Sequence, residues 1–290
     1  MQIRRPIVAG RFYPGDKASC VAEIDQCLRE RKVQEQLPDI IVGGIVPHAG
    51  WVFSGSLAAL VFSAIKQQNE EVVTFVICGA AHSYYGQAPA VYHQGGWSTP
   101  LGQTDIDEEL AEEVINTGKA LPDLNAHGFE HSIEVQVPFV QHLFPKSKIL
   151  PIVVPPTREA VTLGEELGRI IDRQEKKIVC IGSTDLTHYG PGYGFTPVGS
   201  GQEALDWAEK KNDHLFIEAA LKMKPQELLT DAAEHQHSCG PGAAAVVIAA
   251  AKQLGIKEGR LLAYTNSNKI MKEKMHTSTS DSVGYAAIIF

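Results

Sequence analysis

Three apolar runs in this chain end alike, and that repetition restricts its fold more than any other feature. Residues 40–46 run into Pro47-His48-Ala49-Gly50-Trp51, and residues 72–78 into Gly79-Ala80-Ala81-His82. Residues 177–181 open into Gly182-Ser183-Thr184-Asp185-Leu186-Thr187-His188. Short apolar runs bounded by turn residues read as strands buried on both faces. After the first of them, Leu57, Leu60, Val61, Ala64 and Ile65 keep a helical stripe behind a Ser54-Gly55-Ser56 opening. Further helices are expected over 18–31, 107–117, 133–144, 161–172, 202–223, 225–233 and 243–254. Further strands are expected over 149–154, 260–265 and 282–290, and a Gly/Pro-rich loop over 190–201. Alternating strands and helices argue an α/β fold, a single-domain sandwich over residues 1–290 with a mostly central sheet flanked by helices. Ligands of such sheets gather beyond the carboxyl ends of the strands. His48, His82 and the Asp185–His188 stretch are therefore expected along one edge.

Composition limits the partners. The chain has 290 residues and a formal net charge of −8, which disfavours nucleic acid and anionic membrane surfaces. No apolar run approaches the roughly 20 residues of a membrane span, so no membrane insertion is expected. Residues 1–6 lack an apolar signal core, and a cytoplasmic location follows as the expectation. The five cysteines are odd in number and form no CxxC pair, which suits reduced thiols. Cys20, Cys27, Cys78 and Cys180 fall in helix-like or strand-like runs as small core residues. Cys239 differs, because it lies among His235, His237 and glycines.

Four loops on the expected ligand edge thus carry His48, His82, Asp185 with His188, and the His235/His237/Cys239 group. Imidazole, thiolate and carboxylate are the ligand types of zinc, iron, nickel and copper. The spacings are long-range, so they fit equally a metal site and a set of hydrogen-bonded histidines at loop starts. Glu130 stands between His127 and His131 and can orient a ring or join a pocket. Arg11, Phe12 and Tyr13, in a turn-rich segment near the N-terminus, either line a pocket or pack. Asp185 beside His188 permits acid–base work, since a carboxylate fixes an imidazole tautomer and raises its basicity.

Taken in order, the pieces resemble the Memo family, which is similar in fold to the LigB-type extradiol dioxygenases. The resembling stretches are Val8-Ala9-Gly10-Arg11-Phe12-Tyr13-Pro14, Pro47-His48-Ala49-Gly50, Gly79-Ala80-Ala81-His82 and Glu130-His131-Ser132-Ile133-Glu134. They continue with Ser183-Thr184-Asp185-Leu186-Thr187-His188-Tyr189-Gly190 and Cys239-Gly240. The resemblance implies a metal pocket built from His48, His82 and Cys239, with His188 and Asp185 as the acid–base pair. It leaves Arg11, Tyr13, Glu130, His131 and His237 as candidate substrate contacts. It also implies one transition-metal ion, Fe(II) or Cu first and Zn next, and radical-SAM and AMMECR-type partner proteins. Animal members are described as motility effectors that bind phosphorylated receptors. In the dioxygenases a glutamate stands where Cys239 does here. Thiolate softens the site toward Zn or Cu(I) and invites oxidation, so ring cleavage does not come with the fold. The function expected is that of a metal-binding, non-haem-dioxygenase-like protein with redox or oxygen-dependent activity on an unidentified substrate, a small molecule or a peptide. Two alternatives stand beside it: an adaptor that binds peptides or phosphopeptides in the pocket, and an enzyme using Cys239 as nucleophile with His188 or His237 as its base.

Overall fold

Strands buried on both faces need helices on both faces, and the chain supplies them between its apolar runs. The computed structural model describes residues 2–34, 36–69 and 71–290; Met1, the first residue of the expected 1–6 stretch, lies outside it, as do Glu35 and Glu70. Four strands, β1 (Gly43–Val46), β2 (Thr74–Gly79), β3 (Lys148–Val153) and β4 (Ile178–Ser183), lie parallel in the order β1-β4-β2-β3. Two longer strands close one side: β5 (Arg260–Asn266) pairs antiparallel with β6 (Ser282–Ile289), and β6 with β1. With three two-residue strands this makes a nine-stranded sheet among the described residues, and a separate three-stranded sheet joins Ile3–Arg4, Gly96–Thr99 and Gly102–Asp105. The architecture is mixed α/β, a central sheet flanked by helices. All four parallel strands point their carboxyl ends the same way, so the residues following Val46, Gly79 and Ser183 share one edge.

The helices are α1 (Lys17–Glu30), α2 (Trp51–Gln68), α3 (Arg158–Arg173) and α4 (Pro241–Gln253), with shorter ones between. Asp16 caps α1, its carboxylate accepting the Ser19 N–H at 3.0 Å. α2 begins at Trp51, six residues before the stripe legible from Leu57. Its first turns are buried almost all round, so no polar face marks them. Pro241 through Ala251 of α4 are all buried, between the sheet and α3. The axes close on small residues. A Cβ added at Gly164 of α3 would lie 2.7 Å from Ala249 Cβ, and one at Gly168 would lie 2.8 Å from the Ala250 carbonyl oxygen. Gly164→Leu is therefore expected to overpack the seam and cost about 1–3 kcal/mol, read as a lower urea midpoint.

Several segments depart from the sequence expectation for identifiable reasons. The strand expected from residue 40 begins at Gly43, and Ile40 is 61% exposed. The helix expected over 133–144 starts as a 3₁₀ turn, Glu134–Gln136, and becomes α-helical at Val137–Leu143. Pro138 sits in that first turn, where its missing N–H breaks no ladder. The helix expected over 202–223 carries a π turn, Ala208–Asn212, between Gln202–Trp207 and Asp213–Leu221. That turn sets Asn212 and Asp213 against Thr187. Ser267–Ile270 and Met271–Met275 are helical where no element was expected; Asn266 caps them, accepting the Lys269 N–H at 2.9 Å. No helix among the described residues is long and apolar enough to cross a membrane.

Candidate functional site

The strand ends place two histidines, and a loop without regular structure brings the third. His48 follows β1 and His82 follows β2, while His131 lies between two 3₁₀ turns. One nitrogen from each of His48, His82 and His131 lies within 4.8 Å of the other two, and no other such group of three ligand-type side chains occurs among the described residues. The rings of His82 and His131 stack at 4.9 Å, and His48 meets both edge-on.

The surrounding hydrogen bonds assign the tautomers. Ser183 Oγ gives its single proton to the Ser132 carbonyl at 2.7 Å and accepts from Gln136 Nε2 at 3.1 Å. Towards His48 Nδ1, 3.2 Å away, it therefore acts as acceptor. His48 thus carries its proton on Nδ1 and presents Nε2 as a lone pair. His82 Nδ1–H likewise donates to Glu130 Oε1 at 3.1 Å, and Glu130 also accepts the His82 and Ser132 backbone N–H groups. A carboxylate behind an imidazole fixes the ring and raises its basicity, as metal-binding histidines require.

Burial and neighbouring charge set the protonation states. Burial is the largest influence on His48 and lowers its basicity well below the ordinary imidazole range, with His82 and His131 adding to it. His131 is lowered mainly by burial as well. Burial also pulls His82 down most strongly, but the hydrogen bond and charge of Glu130 together outweigh it and leave His82 raised. Burial opposes ionisation of Glu130, yet the bonds and charge of His82 and the Ser132 bonds bring its carboxyl down to about 2. Cys239 Sγ stands 3.2 Å from His48 Nε2. Burial first, then the Asp185 charge, pushes this thiol up, so it donates to His48 as a neutral S–H.

Asp185 lies under the other side of the same cavity. Its Oδ1 accepts the His48 N–H at 2.7 Å and the Ala49 N–H at 3.3 Å, and burial is the main cause of its raised carboxyl. His188 Nδ1–H donates to the Leu186 carbonyl at 3.0 Å, which leaves Nε2 as a base. Tyr193 covers His188 edge-on at 5.0 Å. The cavity itself holds about 470 Å³ and is lined by His48, His82, His131, Asp185 and His188. Aromatic and apolar side chains, Phe12, Phe53, Tyr193, Met271 and Tyr285, complete the wall with Asp281.

The structure thus gathers His48, His82, Asp185, His188 and His131 in one pocket, with Glu130 and Cys239 in contact with its histidines. It places the other candidates elsewhere. Tyr13 is buried, stacked on Trp51 at 5.1 Å, with its hydroxyl donated to Glu134 Oε1 at 3.0 Å. Arg11 is exposed and outside the lining. His237 is buried against Phe216, also outside it, and His235 is exposed. The sequence reading named no site residue in the wall from Ser267 to Tyr285, whose local signals were the capping Asn266 and the closing strand that carries Val283 and Tyr285.

Behind the histidines runs a buried brace. Glu134 accepts from Arg4 Nη1 at 2.8 Å, the Ile7 and Val8 N–H groups and the Tyr13 hydroxyl. Arg4 in turn donates to the His127 and Glu130 carbonyls at 2.9 and 2.6 Å and lies over Trp97.

Residues 4–289 match the family described as "Memo-like protein". A MEMO1 family protein of Thermococcus onnurineus is 37% identical over 99% of both chains. MEMO1 family proteins of Thermococcus kodakarensis and Methanococcoides burtonii are 37% and 35% identical over the same shares. A solved structure of an uncharacterized Escherichia coli K12 protein, 13% identical, overlays with a TM-score of 0.46 over 79% of this chain and 91% of that one. Its likeness is too distant to bear on the site. The match across nearly the full length, at these identities, shows that the chain belongs to the Memo family.

Proposed function

We propose that the pocket binds one transition-metal ion, iron(II) or copper before zinc, and supports redox or oxygen-dependent chemistry on a small substrate. One observation carries this reading. The hydrogen bonds of Ser183 and Glu130 engage Nδ1 of both His48 and His82 and leave each Nε2 as the free ligand atom, and one nitrogen of each of these rings and of His131 lies within 4.8 Å of the others. Hydrogen-bonded structural histidines have no need of three converging ring nitrogens. Cys239, in contact with His48 Nε2, is the fourth candidate; a metal ion bound there would displace its thiol proton, and the resulting thiolate would select softer ions. The bound ion would supply Lewis acidity and electron transfer. The chain's own part is distinct: His188 takes or returns a proton at Nε2, Asp185 holds the backbone of His48, and the apolar wall excludes water.

Cys239 as a free nucleophile is the weaker reading, because burial and Asp185 keep its thiol protonated. Metal content tests the proposal. Protein purified anaerobically with reductant is expected to hold one equivalent of metal, lost in His48→Ala. Reduced occupancy in Cys239→Ala or His131→Ala identifies the third ligand. Absence of metal from the wild type, with no uptake of added Fe(II), Cu(I) or Zn(II), ends the reading.

A further inference from the structure

His188 takes its tautomer from a backbone carbonyl and not from the neighbouring Asp185. Its Nδ1–H donates to the Leu186 carbonyl at 3.0 Å, whereas Asp185 is engaged by the His48 and Ala49 N–H groups. The Leu186 carbonyl belongs to the same planar trans peptide as the Thr187 N–H, so the two point in opposite directions. That N–H donates to Asp213 Oδ1 at 2.8 Å. A continuous line therefore runs from the Asp213 carboxylate, through one peptide unit, to the His188 ring. Three locally unfavourable features converge on this peptide. Asp213 is 2% exposed, and among the described residues no lysine, arginine or histidine forms an ion pair with it. A buried carboxylate without a cation is costly. The helical stretch that carries it is interrupted by the π turn Ala208–Asn212, a feature frequent at functional sites. In β6, Gly284 faces the carboxylate where any Cβ would overlap it, and glycine weakens a strand. Asn212, the last residue of the π turn, donates Nδ2 to Thr187 Oγ1 at 3.1 Å and so holds the same residue by its side chain. Tyr264 on β5 donates its hydroxyl to Asp213 Oδ2 at 2.6 Å, which leaves Oδ1 to Thr187.

We infer that Asp213 is the positioning residue of His188, fixing the Leu186–Thr187 peptide so that its carbonyl holds the Nδ1 proton and Nε2 is left as a lone pair. The inference rests on reading His188 as the group that moves a proton, and it needs neither the metal nor a substrate. A neutral side chain would fill the same space at lower cost. The carboxylate does more, because when ionised it polarises the peptide it accepts from and strengthens the carbonyl at the far end. Burial pushes the Asp213 carboxyl up to about 7, against the Thr187 and Tyr264 bonds and with Glu209 adding to it. Glu209 is itself held by Lys269 and Asn266. At pH 8 the carboxylate is thus largely ionised, and an ordinary imidazole is neutral there.

Nitrogen NMR of the metal-free protein at pH 8 reads which ring nitrogen carries the proton, His188 being assigned by the signal lost in His188→Gln. In the wild type the proton is expected on Nδ1. In Asp213→Ala the ratio of Nδ1–H to Nε2–H should fall about fivefold or more, the worth of one hydrogen bond. Asp213→Asn should restore the ratio to within about twofold, because an amide oxygen still accepts the Thr187 N–H. Urea midpoints are measured in parallel. A lower midpoint in Asp213→Ala with an unchanged His188 ratio would show a structural role alone and overturn the inference, as would failure of Asp213→Asn to restore the ratio. Should Asp213→Ala not fold, Asn212→Ala decides, since it leaves the carboxylate in place and frees the Thr187 side chain. A ratio lowered about twofold supports the inference, and an unchanged one overturns it. Absence of metal would end the proposed function and leave this result standing; an unchanged ratio in a metal-binding protein would end this inference alone.

Discussion

Glu134→Leu is expected to lower stability by about 3–5 kcal/mol, the cost of leaving a buried cation unpaired. The side chains of Arg4 and Glu134 are 6% and 1% exposed, so water cannot replace the lost partner. The same change orphans the Ile7 and Val8 N–H groups and the Tyr13 hydroxyl, which now end on the Glu134 carboxylate. Urea unfolding followed by circular dichroism measures the loss. Arg4→Met combined with Glu134→Leu should recover part of it, because a neutral apolar pair carries no uncompensated charge. A single variant within about 1 kcal/mol of wild type would mean that the brace is relaxed in solution. The effect reaches the site. Arg4 holds the Glu130 carbonyl, and His131 follows in the chain, so a loosened brace should also weaken metal retention.

Glu130→Gln is expected to weaken metal binding by about 10- to 100-fold, the usual cost of removing a carboxylate that orients a ligand histidine. A glutamine can still accept from one nitrogen. It cannot hold His82 with a full negative charge while also taking the Ser132 N–H at 2.8 Å. Competition against a chelator of known affinity reads the change. The same residue sets an acid limit on the metal-free fold. Its carboxyl lies at about 2 against an ordinary value of 4.5, so the folded state favours the ionised form. That contribution, about 3 kcal/mol, is complete above pH 4.5 and is lost as pH falls toward 2. Metal-free wild type should therefore lose more stability over that interval than Glu130→Gln. Parallel acid profiles for the two proteins would show that His82 and Glu130 do not interact in the fold.

Much of the site was legible before the structure because strand ends are local features. An apolar run followed by proline or glycine and then a histidine locates His48 at the end of β1 and His82 after β2. The third run locates Asp185 and His188 in the same way. Parallel pairing then puts all of them on one edge. Family membership was legible from the same motifs, since they keep their order from Val8 to Gly240. What the periodicity could not carry is equally specific. His131 reaches the other two rings from a segment with no strand or regular helix. Its position depends on Arg4, 123 to 130 positions earlier in the chain than the groups it braces. The opposite wall, with Met271, Asp281 and Tyr285, comes from the last tenth of the chain, where the sequence shows only a closing strand. Sequence by itself therefore determined the alternating α/β layout and the polar residues at its strand ends, because period and punctuation act over a few neighbours. Only the tertiary structure decided which side chains meet, because hydrogen bonds and charge compensation across more than a hundred residues leave no local pattern to read.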